Sequence, residues 1–533
     1  MAETLRSRLV YEPRELKFGT SGRRGEVEHL TQLEVYINAL AELRFLQSLP
    51  RAEGGIAAGE EFYFAYDLRP SSTAFCPEHG GRGELAQAIE RAIGDAGMRP
   101  VNLGRIPTPA LTYYAISRRR GSIMVTGSHI PFDRNGYKVN TSAGELLKKH
   151  EDPVNALVRR VREAIYAQPF EESLFDERGM FKEGHRELPP EDDAGRRAYI
   201  ARYLDFFAGE PLAGMRLLVY QHSAVGRDIL VEILSGLGAE VVAAGRSETF
   251  VPIDTENIGE EQLAVIQGLA DQAGRVDAVV STDGDSDRPL VLGVDSAGRV
   301  RFFGGDLVGM VVAEFLGADA VVVPISCNDA IDRGKLAAVL EPKTRIGSPH
   351  VIAGMEAARA KGRRVVCGWE ANGGFLTGSD IERHCRVLTA LPTRDAALPI
   401  VCVLLAAKEK GAPLIEVFEA LPKRYSRAGL LKNFPRERAL EIIERLSRAS
   451  LAELAQFFPA REGFGKPERT DLTDGLRIFF DNGEVAHLRP SGNADEFRIY
   501  AVADTQARAD QIVALGIAEP GGILRRMERA VIS

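Results

Sequence analysis

The sequence is short of the features that mark membrane-spanning and secreted proteins. Its longest nearly unbroken apolar stretch runs only from Ala396 to Ala407, whereas a helix needs about 18–20 apolar residues to cross a bilayer. Residues 1–16 contain acidic side chains and lack the apolar core of a secretory signal. These absences exclude a membrane span and predict a cytoplasmic protein.

Cysteine and tryptophan are scarce, with five and one among 533 residues. The cysteines are widely spaced, form no C-x-x-C pair and have no accompanying histidine array. They are Cys76, Cys327, Cys367, Cys385 and Cys402. This pattern excludes a disulfide framework and a zinc site, and it predicts reduced, mostly buried side chains.

An excess of basic residues is also missing. The chain has 67 lysines and arginines against 75 acidic residues, a net charge of −8. A negative net charge opposes binding to a polyanion such as DNA or to an anionic membrane. The sequence therefore predicts no nucleic-acid or membrane partner, and a phosphate-bearing small molecule would need a local basic pocket.

The length of 533 residues predicts three or four domains, since a typical domain has roughly 150 residues. The chain passes three times through apolar strands, glycine-bearing loops and amphipathic helices, and its apolar runs are typical of strands covered by helices on both faces. Beyond about residue 425, a hairpin that turns at Asn482-Gly483 predicts an antiparallel α+β domain. The predicted domains are residues 1–192, 193–302, 303–424 and 425–533.

The first loop that could carry chemistry follows the predicted strand 122–126 and presents Ser128 and His129. Ligands of open α/β sheets bind at this carboxyl edge of the strands. The esterase pattern G-x-S-x-G is excluded because Thr126 and Ile130 occupy its glycine positions. Taken alone, Ser128 also fits a turn or a helix cap.

A second loop, 281–289, has aspartates at alternate positions after the strand that precedes it. Alternate residues of an extended chain lie about 6.6 Å apart, so Asp283, Asp285 and Asp287 can share one ion only if the loop curls. An EF-hand is excluded because Arg288 takes the place of its glycine. The loop is predicted to bind a hard cation beside a phosphate, which Arg288 would contact.

Two further loops carry polar groups that suit a phosphorylated sugar. In the loop 367–375, Glu370 and Asn372 can bind neighbouring hydroxyls of a sugar. The alternative is that the loop has a structural role only, with Trp369 packed over a glycine-rich turn. The loop 488–498 can hold a phosphate through charged side chains, a hydroxyl and backbone amides. Its candidate ligands are Arg489, Ser491, Gly492, Asn493 and Arg498.

These four loops, in this order, resemble those of the α-D-phosphohexomutase family. Three further segments match motifs of the same family, and the resemblance extends over essentially the whole chain. They are KFGTSGRRG (17–25), YDLRPSS (66–72) and PTPAL (107–111). The family's fold has three related α/β/α sandwich domains and a smaller C-terminal α+β domain around a central cleft, which agrees with the pattern above.

The resemblance implies reversible conversion of a hexose 6-phosphate into the 1-phosphate through a phosphoserine. Ser128 matches the serine that carries the phosphoryl group, with His129 beside it, and Lys138 and Arg24 match basic residues near the reacting hydroxyl. Lys138 is the predicted general acid/base. The predicted Mg²⁺ ligands are Asp283, Asp285, Asp287 and Ser128, and a sugar 1,6-bisphosphate is the implied intermediate and activator.

Several positions depart from the family pattern. Gly127 and Ile130 replace an alanine and an asparagine of the serine loop, and Ser286 replaces a glycine of the metal loop. Asn493-Ala494-Asp495 replaces the usual Thr-Glu-Pro of the last loop. A family histidine corresponds either to His350, after a one-residue shift, or to Ser348.

Mannose phosphate is the predicted substrate, because the third and fourth loops look most like those of bacterial phosphomannomutase-type members. The first alternative within the family is glucose phosphate, either as the preferred substrate or together with mannose phosphate in a dual-specificity enzyme. The second alternative is glucosamine phosphate. A sugar-phosphate-binding protein without turnover and a Mg²⁺-dependent phosphatase are the alternatives from other classes. The protein is predicted to be a monomer or a homodimer.

Overall fold

The computed structural model describes residues 3–19, 21–209, 212–256, 258–491 and 495–532. Four main sheets follow one another along the chain, and helices cover them. The first three sheets are mixed and the fourth is antiparallel throughout. The predicted four-domain fold class is therefore confirmed, while the exact domain boundaries stay predictions.

The first sheet has three parallel strands at one end. Glu61–Tyr66 pairs in parallel with both of its neighbours, and the remaining strands pair antiparallel. In spatial order the strands are Arg23–Glu26, Arg134–Thr141, Ser122–Val125, Glu61–Tyr66 and Arg99–Asn102, with Gly144–Glu145 paired to the second. The main helices are Gln32–Ser48, Leu85–Asp95, Thr108–Ser117 and Glu151–Tyr166.

The second sheet ends its central strand at the predicted metal loop. In spatial order its strands are Glu240–Arg246, Arg216–His222, Ala278–Thr282, Pro289–Val294 and Val300–Phe303. Ala194–Phe206, Arg227–Gly236 and Glu260–Ala273 are its helices. Every residue of Ala278–Thr282 is buried, as expected for a strand covered on both faces.

The third sheet is the smallest of the four main sheets, with four strands. Its strands are Ala320–Val322, Val366–Trp369, Phe375–Thr377 and Leu391–Asp395, and its helices are Gly305–Phe315, Ser348–Ala360, Ala397–Lys410 and Leu414–Glu419. The first of these strands ends at Val322. Pro324 has no backbone N–H for the ladder, and the chain turns there toward the 3-10 helix Asp329–Asp332.

The fourth sheet carries its helices on one face. Its strands, in spatial order, are Tyr425–Lys432, Glu496–Ala503, Val485–Pro490, Leu476–Phe480 and Pro467–Asp471. Its helices are Arg436–Leu446, Leu451–Ala455, Gln506–Ile517 and Ile523–Ile532. Alternate strand residues such as Leu488 and Ile499 enter a core of their own under these helices.

The first three domains share an apolar core, and no described residue of the fourth domain takes part in it. One continuous core contains Tyr63 of the first domain, Leu217 of the second and Val321 of the third. The fourth domain has a separate core. The polar segment after residue 168 is not a free linker, because Phe175 and Phe181 stack with ring centroids 4.9 Å apart inside the first domain's core.

All five cysteines are free, and only Cys385 is exposed, as predicted. Among the helices that the structure describes, none combines the length and the apolar character that a bilayer crossing requires.

Candidate active site

The ends of strands from the first three domains meet around three buried carboxylates. Asp283, Asp285 and Asp287 follow Ala278–Thr282, and one oxygen of each lies within 4.8 Å of the others. The Asp283 carboxylate curls the loop by accepting hydrogen bonds from the amides of Asp287 and Arg288, at 3.1 and 3.2 Å. The sequence expectation that this loop must curl is thus met by a specific pair of bonds.

The serine loop of the first domain contacts this cluster directly. Ser128 Oγ donates to Asp283 Oδ2 at 2.9 Å and lies 3.4 Å from His129 Nδ1. The Ser128 amide donates to Thr126 Oγ1 at 2.8 Å, and that hydroxyl donates to Asp67 at 2.7 Å. These bonds hold Ser128 in a left-handed backbone conformation with φ +57°, which is uncommon for a residue with a side chain.

Arg69, from the YDLRPSS segment, binds the backbone of the same loop through its guanidinium group. Its guanidinium pairs with Asp67 at 3.2 Å and lies 4.0 Å from the ring centroid of Phe250 in the second domain. A Cβ at Gly127 would come within 2.7 Å of this guanidinium, so the glycine leaves room for it. The guanidinium donates to the backbone carbonyls of Ser128, Ile130, Pro131 and Arg134.

The aspartate cluster is neutralised by cations from two other domains. Lys138 Nζ, in the first domain, donates to Asp285 Oδ2 at 2.6 Å and to Asp287 Oδ2 at 2.7 Å. Arg394, in the third domain, donates to Asp287 Oδ2 at 2.9 Å. Thr108 of the PTPAL segment donates to Asp285 at 2.6 Å. Charges from three domains therefore converge on one loop.

The cluster retains oxygens that suit a metal ion. Asp285 Oδ1 and Asp287 Oδ1 are buried and have no hydrogen-bond partner among the described residues. Burial and the neighbouring aspartates raise the pKa of Asp283 well above its usual value, while Lys138 and Arg394 help to hold the pKa of Asp285 below its usual value. Carboxylate oxygens are the ligands that hard cations prefer, so these residues fit a divalent ion.

Ser286, where a glycine is usual, contributes to the loop. Its backbone is left-handed, with φ +58°, and its hydroxyl accepts a hydrogen bond from the Gly226 amide at 2.9 Å. Thr282 Oγ1 also donates to this hydroxyl at 2.8 Å. The substitution therefore adds support for the loop without removing any of the three carboxylates.

Two further arginines make the serine side of the cleft cationic. Burial and then Arg288 lower the pKa of Arg24 to about 10. Burial, Arg288 and Arg24 together hold the pKa of His129 well below its usual value, so its imidazole is neutral at neutral pH. The structure thus brings the predicted residues Arg24, His129, Lys138 and Arg288 to the same site as Ser128.

The third loop contains one residue with a structural role and the two residues predicted to bind the sugar. Trp369 is fully buried, donates its indole N–H to the Asp306 carbonyl at 3.1 Å and has the structural role that the sequence left open. Glu370 is buried and receives a hydrogen bond from Arg394 at 2.8 Å. The Asn372 side chain accepts from the Gly374 amide at 3.0 Å and shapes the turn.

The fourth loop is linked to the third domain by polar contacts that pass through Asp474. Arg489 Nε donates to Asp474 Oδ1 at 3.0 Å, and the other oxygen of Asp474 accepts from the amide of Ile346 at 3.0 Å. Arg498 pairs with Glu496 at 2.8 Å and is one-third exposed. Ser491 is buried, and the predicted ligands Gly492 and Asn493 lie outside the described residues.

The two candidates for the family histidine occupy different surroundings. Ser348 is fully buried and donates to Glu145 of the first domain at 2.6 Å. His350 is half-buried, and burial and then Lys148 and Arg345 lower its pKa. Its identity with the family histidine stays a prediction.

Sequence reasoning missed Arg69, Arg394 and Glu256. Arg394 carried a usable signal, since an Arg-Asp pair interrupts the apolar sequence between a strand and a buried helix. Arg69 lay inside a matched motif without an assigned role. Glu256 of the second domain is half-buried, and burial and Asp254 raise its pKa to about 7; its polar surroundings in the sequence gave no signal.

Three linked α/β/α domains and an antiparallel fourth domain around one cleft define the phosphohexomutase class of enzyme. Family models described as phosphoglucomutase/phosphomannomutase α/β/α domains I, II and III match residues 15–164, 198–295 and 304–425. Together these matches cover well over half of the chain. The chain belongs to the phosphoglucomutase/phosphomannomutase family.

Two curated relatives are similar over most of the chain. A phosphomannomutase of Sinorhizobium fredii is 38% identical over 504 residues, covering 94% of this chain and 98% of its own. A phosphomannomutase of Salmonella muenchen is 38% identical over 500 residues, covering 93% and 94%. A phosphoglucomutase/phosphomannomutase family structure from Burkholderia thailandensis matches with TM-score 0.66 and 18% identity, covering 96% and 97%, and supports the fold.

The enclosure of the serine loop by Arg69 gives a first prediction. We expect Arg69→Lys to destabilise the protein by about 2–3 kcal/mol, because an ammonium cannot reach four carbonyls in the planar geometry of a guanidinium. Amide hydrogen exchange of residues 126–135 should accelerate, whereas the strand Glu61–Tyr66 should be unaffected.

Arg186→Lys is the matched control for this variant. Arg186 lies at the surface of the same domain and pairs with Glu90, so the exchange pattern of Arg186→Lys should equal that of the unmodified protein. Unchanged exchange of residues 126–135 in Arg69→Lys would contradict the proposed support of the loop.

Proposed function

We propose that this protein interconverts mannose 6-phosphate and mannose 1-phosphate through a phosphoserine at Ser128 and a mannose 1,6-bisphosphate intermediate. One observation carries the proposal: the Ser128 hydroxyl, held at 2.9 Å from Asp283, is surrounded by cationic side chains of separate domains. The two relatives that are 38% identical and named phosphomannomutases support the choice of mannose.

The proposed chemistry is transfer of a phosphoryl group between Ser128 and a sugar hydroxyl. The Oγ–P bond of phosphoserine breaks, the sugar oxygen forms the new O–P bond, and the hydroxyl proton passes to a nearby base. Lys138 is the proposed acid/base, supported by Arg24: the ammonium that donates to Asp285 and Asp287 is its acid form, and the neutral amine is the form that accepts the hydroxyl proton. In the reverse transfer, Ser128 loses its proton, and Asp283 and neutral His129 both lie within reach of that hydroxyl.

The proposed cofactor is Mg²⁺, which would be held by Asp283, Asp285, Asp287 and the phosphate on Ser128. When bound, Mg²⁺ would neutralise charge that develops on the transferring phosphoryl oxygens. Lys138 and Arg394 share this electrostatic role, because both contact the carboxylates directly. Arg288 and Arg24 contribute positive charge on the serine side.

The intermediate must turn over so that its second phosphate reaches Ser128. A site that binds either phosphate at the far end of the cleft is therefore required, and the fourth loop is proposed to supply it. The proposed ligands are Arg489, Ser491, Gly492, Asn493 and Arg498. Glu370 and Asn372 are proposed to contact the sugar between the two ends.

Substrate preference is tested by measuring kcat/KM on mannose 1-phosphate, glucose 1-phosphate and glucosamine 1-phosphate. The assays contain Mg²⁺ and the matching hexose 1,6-bisphosphate as activator. We expect the highest value with mannose 1-phosphate. A preference for glucose 1-phosphate would replace the mannose assignment by the phosphoglucomutase alternative and leave the mutase reaction in place.

The role of Ser128 predicts a covalent phosphate. Intact-mass analysis of the purified protein should show one phosphate increment, which Ser128→Ala abolishes together with turnover, while Ser117→Ala retains both. Ligand binding without this phosphate would support a non-catalytic binding protein. Steady release of inorganic phosphate without isomerised sugar would support a phosphatase.

Metal dependence gives a further prediction. Removal of divalent ions with EDTA should abolish turnover, and added Mg²⁺ should restore it. Asp285→Asn should lower kcat at least about 100-fold, since it removes charge from the cluster that is proposed to hold the ion. Asp295→Asn, in a turn of the same domain, is the control, and full activity of the EDTA-treated protein would rule out the proposed cofactor.

The distal phosphate site predicts the effect of removing Arg489. We expect Arg489→Ala to raise KM about 10- to 100-fold, because a charge-assisted contact to the phosphate is lost. Phosphate incorporated on Ser128 during expression should still be detectable. Arg461→Ala, at the surface of the same domain, is the control, and an unchanged KM in Arg489→Ala would place the distal phosphate elsewhere.

A further inference from the structure

The loop between the strand Glu240–Arg246 and the helix Glu260–Ala273 brings the second domain into contact with the predicted sugar loop. Ile253 is fully buried in the core of the second domain. Thr255 is also fully buried, and its hydroxyl donates to the backbone carbonyl of Asn372 at 2.9 Å. The residue that follows, Glu256, is therefore held beside the loop that carries Glu370.

Charged groups of three domains surround the Glu256 carboxylate. Burial and Asp254 favour its neutral form, as does Glu370 of the third domain, whereas Arg288 of the metal loop and Arg498 of the fourth domain favour its ionised form. Tyr500 and Cys327 also lie within range of its charge. Arg288 belongs to the serine end of the cleft and Arg498 to the proposed distal loop, and the Glu256 carboxyl group interacts electrostatically with both.

Among the described residues of the cleft, Glu256 differs from the other carboxylates in having no hydrogen-bond or ion-pair partner for its side chain. Glu370 receives a hydrogen bond from Arg394, Glu145 receives two from Ser348 and Thr393, and the aspartates bind Lys138 and Ser128. Within the described chain, the Glu256 carboxylate has no hydrogen bond or ion pair. A half-buried carboxylate in this state offers both oxygens to a ligand.

We infer that Glu256 is a specificity-determining residue, whose carboxylate accepts a hydrogen bond from a ring hydroxyl of the bound hexose phosphate. The inference rests on the proposed function and adds a sugar contact from the second domain. A half-buried carboxyl group that hydrogen-bonds a hydroxyl discriminates for it, because a substrate that lacks this hydroxyl leaves a desolvated acceptor oxygen unpaired. Arg394 restrains Glu370, whereas Glu256 is free to adjust to either orientation of the sugar.

The test combines substitution of Glu256 with removal of single sugar hydroxyls. Dissociation constants are measured by calorimetry, and kcat/KM by coupled assay, for mannose 6-phosphate, glucose 6-phosphate and the 2-, 3- and 4-deoxy analogues of glucose 6-phosphate. We expect Glu256→Ala to weaken binding and lower kcat/KM about 10- to 100-fold on the complete sugars, which is the range for a hydrogen bond to a charged group. For Glu256→Gln, both the affinity and kcat/KM should lie between those of the unmodified protein and those of Glu256→Ala.

One deoxy analogue should then be insensitive to the substitution. For the analogue that lacks the hydroxyl bound by Glu256, the unmodified protein and Glu256→Ala should agree within about twofold. A purely structural role would instead lower binding of every analogue by the same factor, and that result would overturn the inference. Glu261→Ala, on the exposed first turn of the following helix, is the matched control and should behave as the unmodified protein.

The outcome separates this inference from the proposed function. If the unmodified protein binds hexose phosphates but carries no phosphate on Ser128 and shows no turnover, the mutase proposal fails, and the dissociation constants still test Glu256. If the unmodified protein is an active mutase and Glu256→Ala binds every sugar with unchanged affinity, the inference about Glu256 fails alone.

Discussion

The structure depends on the neutralisation of three buried carboxylates that lie within five consecutive residues of one loop. Like charges this close cannot remain ionised away from water without compensating cations. The second domain supplies Arg288, while Lys138 comes from the first domain and Arg394 from the third. Loss of one partner of a buried ion pair costs about 3–5 kcal/mol. The same charges that fit a metal ion and a phosphate therefore also fix how three domains are arranged.

The fourth domain is attached in a different way. The first three domains share a continuous apolar core, whereas the fourth has its own. Its contacts with the third domain include the ion pair between Arg424 and Asp504 at 2.5 Å and a hydrogen bond from Arg345 to the carbonyl of Thr473 at 3.1 Å. Polar contacts can be exchanged for water at a lower cost than apolar contacts, so domain motion is expected at this boundary. The turnover proposed for the bisphosphate intermediate within the cleft requires such motion.

Much of the fold and the site could be predicted because its signals are local. Buried strands such as Ala278–Thr282 are apolar at successive positions, and the residues that follow them lie at one sheet edge. Contacts between distant segments gave no such signal. The role of Arg69 depends on four carbonyls of another loop, and that of Glu256 on charges of three domains. The sequence likewise left two roles open for Trp369, because burial of its indole depends on how the helix Gly305–Phe315 packs against it.

Two departures from the family pattern, Gly127 and Ser286, change the support of the loops more than their chemistry. Gly127 lacks the side chain that would collide with the Arg69 guanidinium, and Ser286 adds hydrogen bonds that a glycine could not make. Neither position carries a group that touches the transferring phosphoryl in the proposed reaction. Ser128 and the three aspartates are retained, and they contact one another and Lys138. A sequence motif thus tolerates substitution where the neighbouring residue supplies the missing volume or bond, and it tolerates little where the side chain itself holds charge.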